Sequence, residues 1–153
     1  MNRSLTAILA LAAAASAPFV TASEKPTVEF LNSGKVVPTG LPFSEAVRAG
    51  DTLYLSGQVG IEPGTLKLVP GGIREESRQA LENVRASLEA HGYTMGDVVK
   101  CTVMLADIAE WAAFNEVYRT FFSAPYPARS ALGANGLALG ARVEVDCIAV
   151  RSG

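Results

Sequence analysis

The sequence predicts an α+β domain in which one mixed β-sheet is covered on one face by two α-helices. Two segments repeat apolar residues every three or four positions, as amphipathic helices do. Apolar, strand-like segments stand on both sides of each helix, and a hairpin pattern comes first. The 153 residues suit one domain. Because the second face of such a sheet has no cover, we expect the protein to form an oligomer.

Residues 1–22 predict a secretory signal peptide. Arg3 supplies the positive charge, an alanine-rich apolar run follows, and Val20 and Ala22 provide small side chains before a cleavage site. The run is too short to cross a bilayer, so we expect cleavage after Ala22, export to the periplasm or the medium, and no membrane attachment afterwards. An uncleaved anchor or a buried N-terminal helix is the alternative.

The first half of the mature chain is expected to form a lead-in, a hairpin and a helix. Residues 23–42 carry three prolines and two glycines, which favour an irregular lead-in or an edge strand. The domain itself is expected to span 43–153, starting with a hairpin whose strands, 46–48 and 53–55, flank Gly50. After a loop rich in glycine and proline, a helix is predicted over 75–91, with Gly92 as its left-handed cap.

The second half predicts a strand, a helix and two further strands. Residues 98–105 are rich in β-branched side chains. A helix is expected from Asp107, with Glu110 in capping-box spacing, and Pro125 and Pro127 should stop it. Strands are predicted near 129–134 and 143–150. The apolar stripe of the second helix comprises Trp111, Phe114, Val117 or Tyr118, and Phe121.

Composition and motifs exclude several classes of function. Hydrophobic residues make up 49% of the chain, enough for a core, which excludes a disordered protein. A net charge of −2 gives no basic field for phosphates, so we expect no nucleic-acid partner. The single histidine, His91, excludes two-histidine zinc sites and is expected to cap a helix at the surface. Cys101 and Cys147 lie in apolar segments, either as buried free thiols or as a disulfide.

Two charged residues break the apolar pattern of the predicted strands. Arg129 enters one strand, and Glu144 lies inside the most apolar one. A charge in such a place is costly unless it is paired or faces a cleft. A structural ion pair, or a solvated face for Glu144, is one interpretation. The other is a site in which Arg129 binds a substrate carboxylate and Glu144 handles a water or a proton.

Seven short motifs, in order and with matching separations, resemble the RidA/YjgF family of enamine/imine deaminases over about residues 43–150. They are Phe-Ser-Glu-Ala-Val at 43–47, Leu-Tyr-Leu-Ser-Gly-Gln at 53–58, Gln-Ala-Leu-Glu-Asn-Val at 79–84, Val-Val-Lys-Cys-Thr-Val at 98–103, Phe-Asn-Glu-Val-Tyr at 114–118, Pro-Ala-Arg-Ser at 127–130 and Val-Glu-Val at 143–145. The resemblance implies a chorismate-mutase-like fold and a homotrimer with active sites between subunits.

The resemblance also implies an activity and a set of site residues. The reaction is hydrolysis of 2-imino or 2-enamino acids to 2-oxo acids and ammonia, with no metal or cofactor. Arg129 corresponds to the carboxylate-binding arginine, and Glu144 to the acid that positions water. The implied substrate-binding residues are Phe43, Ser56, Gly57, Gln58, Asn115 and Ala131. Asn115 fits core or interface packing equally well.

Two departures from the family pattern bear on the site. Phe43 stands where the family commonly has tyrosine, so a hydroxyl is lost there, and Ala131 stands where many relatives have cysteine. A non-catalytic ligand-binding or interaction protein on the same trimeric fold is the alternative function, because imino acids are expected chiefly where cytoplasmic enzymes make them. A timed assay of ammonia or 2-oxo acid release separates the two hypotheses.

Overall fold

The computed structural model describes residues 25–151, so the predicted signal peptide lies outside the described residues. This part of the chain forms seven β-strands and two α-helices. The strands are β1 (Val28–Leu31), β2 (Ala46–Ala49), β3 (Thr52–Leu55), β4 (Gln58–Val59), β5 (Val98–Leu105), β6 (Ala128–Gly133) and β7 (Val143–Val150); the helices are α1 (Gly72–Ala90) and α2 (Trp111–Tyr118). Neither of these two helices has the length and hydropathy needed to cross a membrane.

All seven strands join one mixed sheet, as the sequence predicts. Its order is β1-β2-β3-β7-β5-β6, with the short β4 pairing the other half of β7 beyond β3. Only β5 and β6 run parallel, because α2 lies between them in the chain and returns β6 in the same direction. The lead-in takes the edge-strand alternative, since β1 pairs with β2 and extends the sheet at one end.

The predicted hairpin and strands are confirmed, and α1 differs from its prediction mainly at its start. The hairpin turn contains Gly50 at φ 59°, and Gly92 follows α1 at φ 81°, the left-handed cap expected there. However, α1 begins at Gly72, three residues before the predicted Glu75. The loop before it therefore ends at Gly71, which is the N-terminal cap residue of α1.

The start of the second helix is corrected by the structure. A single 3-10 turn covers Ile108–Glu110, and the α-helix begins only at Trp111. Asp107 does act as a cap, accepting a hydrogen bond from the Ala109 N–H at 2.9 Å. Glu110 does not complete a capping box, because its carboxylate binds the guanidinium of Arg142 at 2.7 and 3.0 Å instead. An ion pair to another element has replaced the local hydrogen bond.

The core lies between the sheet and the two helices. Strand β7 alternates as predicted, with Val143, Val145, Cys147 and Ala149 all buried toward the helices. The opposite surface of the sheet, which we call the open face, carries large apolar side chains without cover. These are Val28, Phe30, Tyr54, Leu132 and Val150. The uncovered sheet face expected from the sequence is therefore present.

Cys101 and Cys147 form a disulfide in the core. They lie opposite one another in the β5–β7 register, with their Cα atoms 4.1 Å apart. The sequence leaves buried free thiols and a disulfide as alternatives, and the structure shows the disulfide. It links β5 and β7, the two longest strands of the sheet, and the strand position next to Cys101 on its other side is Arg129 of β6.

His91 is not a surface cap, contrary to expectation. Its side chain is only 8% exposed, and Nε2 lies 3.7 Å from Oε2 of Glu45. Glu45 is fully buried and accepts hydrogen bonds from the hydroxyls of Ser33 and Ser87 at 2.6 and 2.7 Å. Burial alone would raise the pKa of Glu45, but the hydrogen bonds from Ser33 and Ser87 outweigh it and lower the pKa. This cluster ties the end of β1 to α1.

Candidate functional site

Arg129 projects from β6, at the edge of the sheet, toward α2. Its register partner is Cys101, whose side chain faces the helices, so Arg129 shares that face. The guanidinium carbon lies 4.5 Å from the centre of the Tyr118 ring and 5.8 Å from that of Phe114. Aromatic faces attract a guanidinium and leave its edge N–H groups free to donate hydrogen bonds. Within residues 25–151, no carboxylate lies within 4.0 Å of it.

The guanidinium of Arg129 opens onto a cleft, which we call the Arg129 cleft. Its volume is about 560 Å³, and its walls come from α2 and from the segment leading into β6. The lining residues are Trp111, Asn115, Tyr118, Arg119, Tyr126, Pro127 and Arg129. A second hollow of about 460 Å³ adjoins it, lined by Ile108 and Ala131 and sharing Trp111 and Arg129. Three predicted site residues, Arg129, Asn115 and Ala131, therefore lie together.

Tyr118 forms the floor beneath Arg129. Its ring also packs against Phe122, with centroids 4.6 Å apart, so the position of the ring is fixed by the core. Its hydroxyl is buried and has no hydrogen-bond partner among the described residues. Burial raises the pKa of Tyr118, and the charge of Arg129 offsets this only in part. The phenol is therefore neutral at physiological pH and can act only as a weak dipole beside the guanidinium.

Glu144 lies on the open face, in a second cluster that we call the Glu144 corner, formed with Gly57 and Asp146. Its neighbours along β7, Val143 and Val145, are buried toward the helices, so Glu144 points the other way. The side chain is half-buried. Burial raises the pKa of Glu144, and the nearby charge of Asp146 raises it further. A carboxyl with a raised pKa exchanges protons closer to neutral pH, which suits an acid–base group.

Gly57 lies directly against the carboxylate of Glu144. A Cβ at this position would be 2.8 Å from Cδ and 2.9 Å from Cγ of Glu144. Real side chains essentially never approach so closely, so only glycine leaves Glu144 in place. The backbone of Gly57 therefore forms one wall of the Glu144 corner.

The side chains flanking Gly57 support the turn. The Ser56 hydroxyl donates to the Ser44 carbonyl at 2.7 Å. Gln58 is 2% exposed, and its amide donates to the Ser56 carbonyl at 3.2 Å. These bonds hold the chain between β3 and β4 in place while the Gly57 backbone faces Glu144. Phe43 is half-exposed and does not line the Arg129 cleft of its own chain.

Within one chain, the two predicted catalytic residues do not meet. Arg129 faces the helices, whereas Glu144 faces the opposite side of the sheet. They also stand on strands separated by β5, which puts them about 10 Å apart across the sheet. In the strand register, Arg129 is paired with Cys101 of β5, whereas Glu144 is paired with Met104, three residues further along. The two residues are therefore also about 10 Å apart along the strand direction. The predicted residues thus form two clusters, one at the β6 edge and one beside β4.

Sequence reasoning missed part of the Arg129 cleft. The sequence pattern places Trp111 in the apolar stripe of the second helix, but its side chain is 45% exposed and lines the cleft. Tyr126 and Arg119 were not singled out. The signal that could have found them is their position, since Tyr126 precedes the Pro-Ala-Arg motif and Arg119 follows the motif that contains Asn115.

Comparison with known proteins establishes the family. Residues 35–151 match the family model described as Endoribonuclease L-PSP. Since this covers more than half of the chain, the protein belongs to that family. The resemblance to RidA is also confirmed, because the similar proteins include several named 2-iminobutanoate/2-iminopropanoate deaminase.

The mouse protein of that name is 46% identical over 110 residues, covering 72% of this chain and 82% of its own. The human protein is 42% identical over the same length, covering 80% of its own chain. Among solved structures, RidA from an Antarctic Psychrobacter bacterium matches with a TM-score of 0.76 at 36% identity, covering 80% of this chain and 99% of that one. Escherichia coli TdcF with bound serine gives 0.75 at 33% identity, covering 81% and 99%.

Proposed function

We propose that this protein hydrolyses 2-imino and 2-enamino acids to 2-oxo acids and ammonia. The observation that carries the proposal is the Arg129 guanidinium, which rests on two aromatic rings, opens onto a cleft and has no carboxylate partner in the described part of the chain. A guanidinium in this state suits a small carboxylate ligand. Relatives at 42–46% identity bear the name 2-iminobutanoate/2-iminopropanoate deaminase, which supports the same reaction.

Arg129 would bind the carboxylate of the substrate. Two parallel N–H···O bonds fix both the position and the plane of the imino acid, because the guanidinium and the carboxylate are both planar. Such orientation lowers the barrier of imine hydrolysis, which already proceeds slowly in water, because the reacting atoms are held in the geometry that the reaction needs. Asn115, in the same cleft, is placed to contact the substrate from the side of α2.

Glu144 would handle the protons. Its carboxylate accepts a proton from water as the water oxygen forms a bond to C2 of the protonated imine, giving a neutral carbinolamine. It then returns that proton to the nitrogen. As the C2–N bond breaks, the carbinolamine hydroxyl gives its proton to Glu144, so that ammonia and a 2-oxo acid are formed, and the departing ammonia takes that proton from Glu144 as ammonium. One water is consumed, and nothing is oxidised or reduced. The raised pKa of Glu144 suits both halves of this exchange.

The active site would be completed between subunits of a homotrimer. The Arg129 cleft and the Glu144 corner lie on opposite faces of one sheet, so one chain alone does not bring the two groups to one substrate. The apolar side chains on the open face, such as Phe30, Tyr54 and Leu132, supply a surface for a second copy. Arg129 of one subunit would then face Glu144 of its neighbour.

We also propose that the protein is exported to the periplasm or the medium. The Cys101–Cys147 disulfide suits an oxidising compartment, where such bonds persist, and so supports the signal peptide expected at residues 1–22. The mass of the protein recovered from the periplasm or the medium tests this, because cleavage after Ala22 predicts a chain that starts at Ser23. A full-length chain retained in the cytoplasm contradicts it.

Timed hydrolysis of 2-aminoacrylate, generated in the cuvette, tests the activity. We expect the wild-type protein to speed the release of 2-oxo acid and ammonia above the uncatalysed rate. Arg129→Ala should lose roughly 100-fold in kcat/KM, because two charge-assisted hydrogen bonds to the substrate are removed. Arg78→Ala is the matched control, since Arg78 is an exposed arginine of α1 whose one ion-pair partner among residues 25–151 is Glu75.

Circular dichroism and the measured mass of the assembly show whether Arg129→Ala remains folded and oligomeric. A folded variant with wild-type activity refutes the role of Arg129. A wild-type protein that binds 2-oxo acids without accelerating hydrolysis supports a non-catalytic ligand-binding protein instead.

A further inference from the structure

We infer that the Arg129 cleft selects imino acids that carry a second negative charge, namely 2-imino dicarboxylates. This rests on the proposed deaminase function and names the substrate class within it. The cleft is lined by two guanidinium groups, Arg119 and Arg129, and by no acidic side chain of the described residues. In a protein with a net charge of −2, this places positive charge locally where the ligand would lie.

Two acids of the α2 region are paired with arginines outside the cleft. Glu116, three residues before Arg119 on α2, binds Arg74 of α1. Glu110, at the start of the same helical region, binds Arg142. Neither Arg119 nor Arg129 has a carboxylate within 4.0 Å in the described range 25–151. The charge of Glu116 still acts on Arg119 at longer range, but neither guanidinium group of the cleft is held in an ion pair within the described residues.

The two arginines have different surroundings, which fits different roles. Arg129 is partly buried and stacked on Tyr118, so it holds the carboxylate beside the reacting carbon. Arg119 is exposed at the C-terminal cap of α2, on the cleft wall, where it can reach the far end of a longer substrate. Trp111 and Tyr126, 45% and 56% exposed, flank the cleft and can contact the methylene groups between the two charges. At about 560 Å³, the cleft has room for such a chain.

The test compares two imines of similar length that differ in charge. The imino acids are generated in the cuvette from L-glutamate and from L-methionine with amino-acid oxidases, and kcat/KM is measured for each. We expect the wild-type protein to favour the glutamate-derived imine. Arg119→Gln should lower the ratio of kcat/KM for the glutamate-derived imine to that for the methionine-derived imine about fivefold, which is the size of effect expected for the loss of an exposed ion pair. Added salt should lower the wild-type ratio. Arg78→Gln, another exposed arginine, should leave the ratio unchanged.

Equal ratios in the wild type and in Arg119→Gln overturn the inference, as does a wild-type preference for the methionine-derived imine. A change in thermal stability of Arg119→Gln without a change in ratio assigns Arg119 to the helix dipole alone, and also overturns it. Calorimetric binding of 2-oxoglutarate separates this inference from the proposed function. If neither imine is hydrolysed faster but 2-oxoglutarate binds through Arg119, the deaminase proposal fails and the dicarboxylate site stands.

Discussion

The Arg129 cleft and the Glu144 corner differ in width, in charge and in the groups that form their walls. The cleft is wide and positively charged, and its walls are side chains of α2 and of the segment before β6. The corner is tight and negatively charged, and its wall is the backbone of Gly57. Side-chain walls can change from one relative to another without disturbing the sheet, whereas a backbone wall allows only glycine.

This difference separates recognition from proton transfer. A cleft built from exposed side chains tolerates substitution and can be tuned toward a new ligand. A half-buried carboxylate held against a backbone keeps one position and one raised pKa. In the proposed trimer, each active site would take one region from each of two subunits, so the two can vary independently. Four experiments test this separation, in order of expected effect.

Glu144→Gln should lower kcat at least about 100-fold, because the amide cannot accept the proton of the attacking water. In the wild type, kcat should fall on the acid side at a pH above the usual range of a glutamate, and this limb should vanish in the variant. A carboxyl with a raised pKa stabilises the fold while protonated and loses that contribution as pH rises through its folded-state pKa. The variant should therefore melt higher than the wild type near neutral pH, but not in acid.

Mixing two inactive variants tests whether the regions come from different subunits. Arg129→Ala and Glu144→Gln chains are unfolded together, refolded and assayed with 2-aminoacrylate. If each site is shared between subunits, random pairing leaves about one interface in four with both residues intact, and activity returns. Activity that stays at the level of the separate variants shows instead that both residues must belong to one chain.

Gly57→Ala should lower kcat roughly tenfold, since the new methyl group overlaps the side chain of Glu144 and displaces its carboxylate. The effect on folding should be small, because the contact is with a side chain that can rotate. Gly96→Ala is the matched control, because in the described part of the chain a Cβ there meets only the Thr94 hydroxyl, at 3.5 Å. In the Glu144→Gln background the Gly57 substitution should cost little more, because both act through one carboxylate. Full additivity contradicts this coupling.

Tyr118→Leu should raise KM about fivefold with a smaller change in kcat, because the guanidinium of Arg129 loses the ring beneath it, a contact worth about 1 kcal/mol. Tyr118→Phe keeps the ring and removes only a hydroxyl that has no partner in the described structure, so its KM should stay near the wild-type value. If the two variants have the same KM, the ring does not position Arg129. Melting temperatures distinguish this effect from a general loss of packing around Phe122.

Much of the fold could be predicted because its signals are local. The alternation of β7 and the glycine after α1 specify structure within a few residues, and the structure has both. Arg129 and Glu144 could be singled out because a charged side chain in an apolar strand is costly to bury unless it is paired or faces a cleft. The alternation of β7 also places Glu144 opposite the buried valines, but the sequence does not show which face Arg129 takes, because β6 has no apolar alternation and its orientation depends on its register against β5.

The remaining errors concern contacts between distant parts of the chain. His91 was expected at the surface because its neighbours form a helix end, whereas its burial depends on Glu45, far away in sequence. Glu110 had the spacing of a capping box, but Arg142 competes for its carboxylate with a stronger, charged partner. Trp111 fits a helical apolar stripe, yet it is the first residue of the short helix α2, and its half-exposed indole lines the cleft instead of the core.

The closeness of Gly57 to Glu144 has a consequence for interpreting related sequences. A homologue that keeps both charged residues but has a larger side chain at the position of Gly57 would retain every group usually counted as diagnostic. Its carboxylate would nevertheless be displaced from the water it must activate. Such a chain would still capture anions and would be misclassified as an enzyme. Whether a family member turns over its ligand or only holds it can thus be decided by a residue that has no side chain.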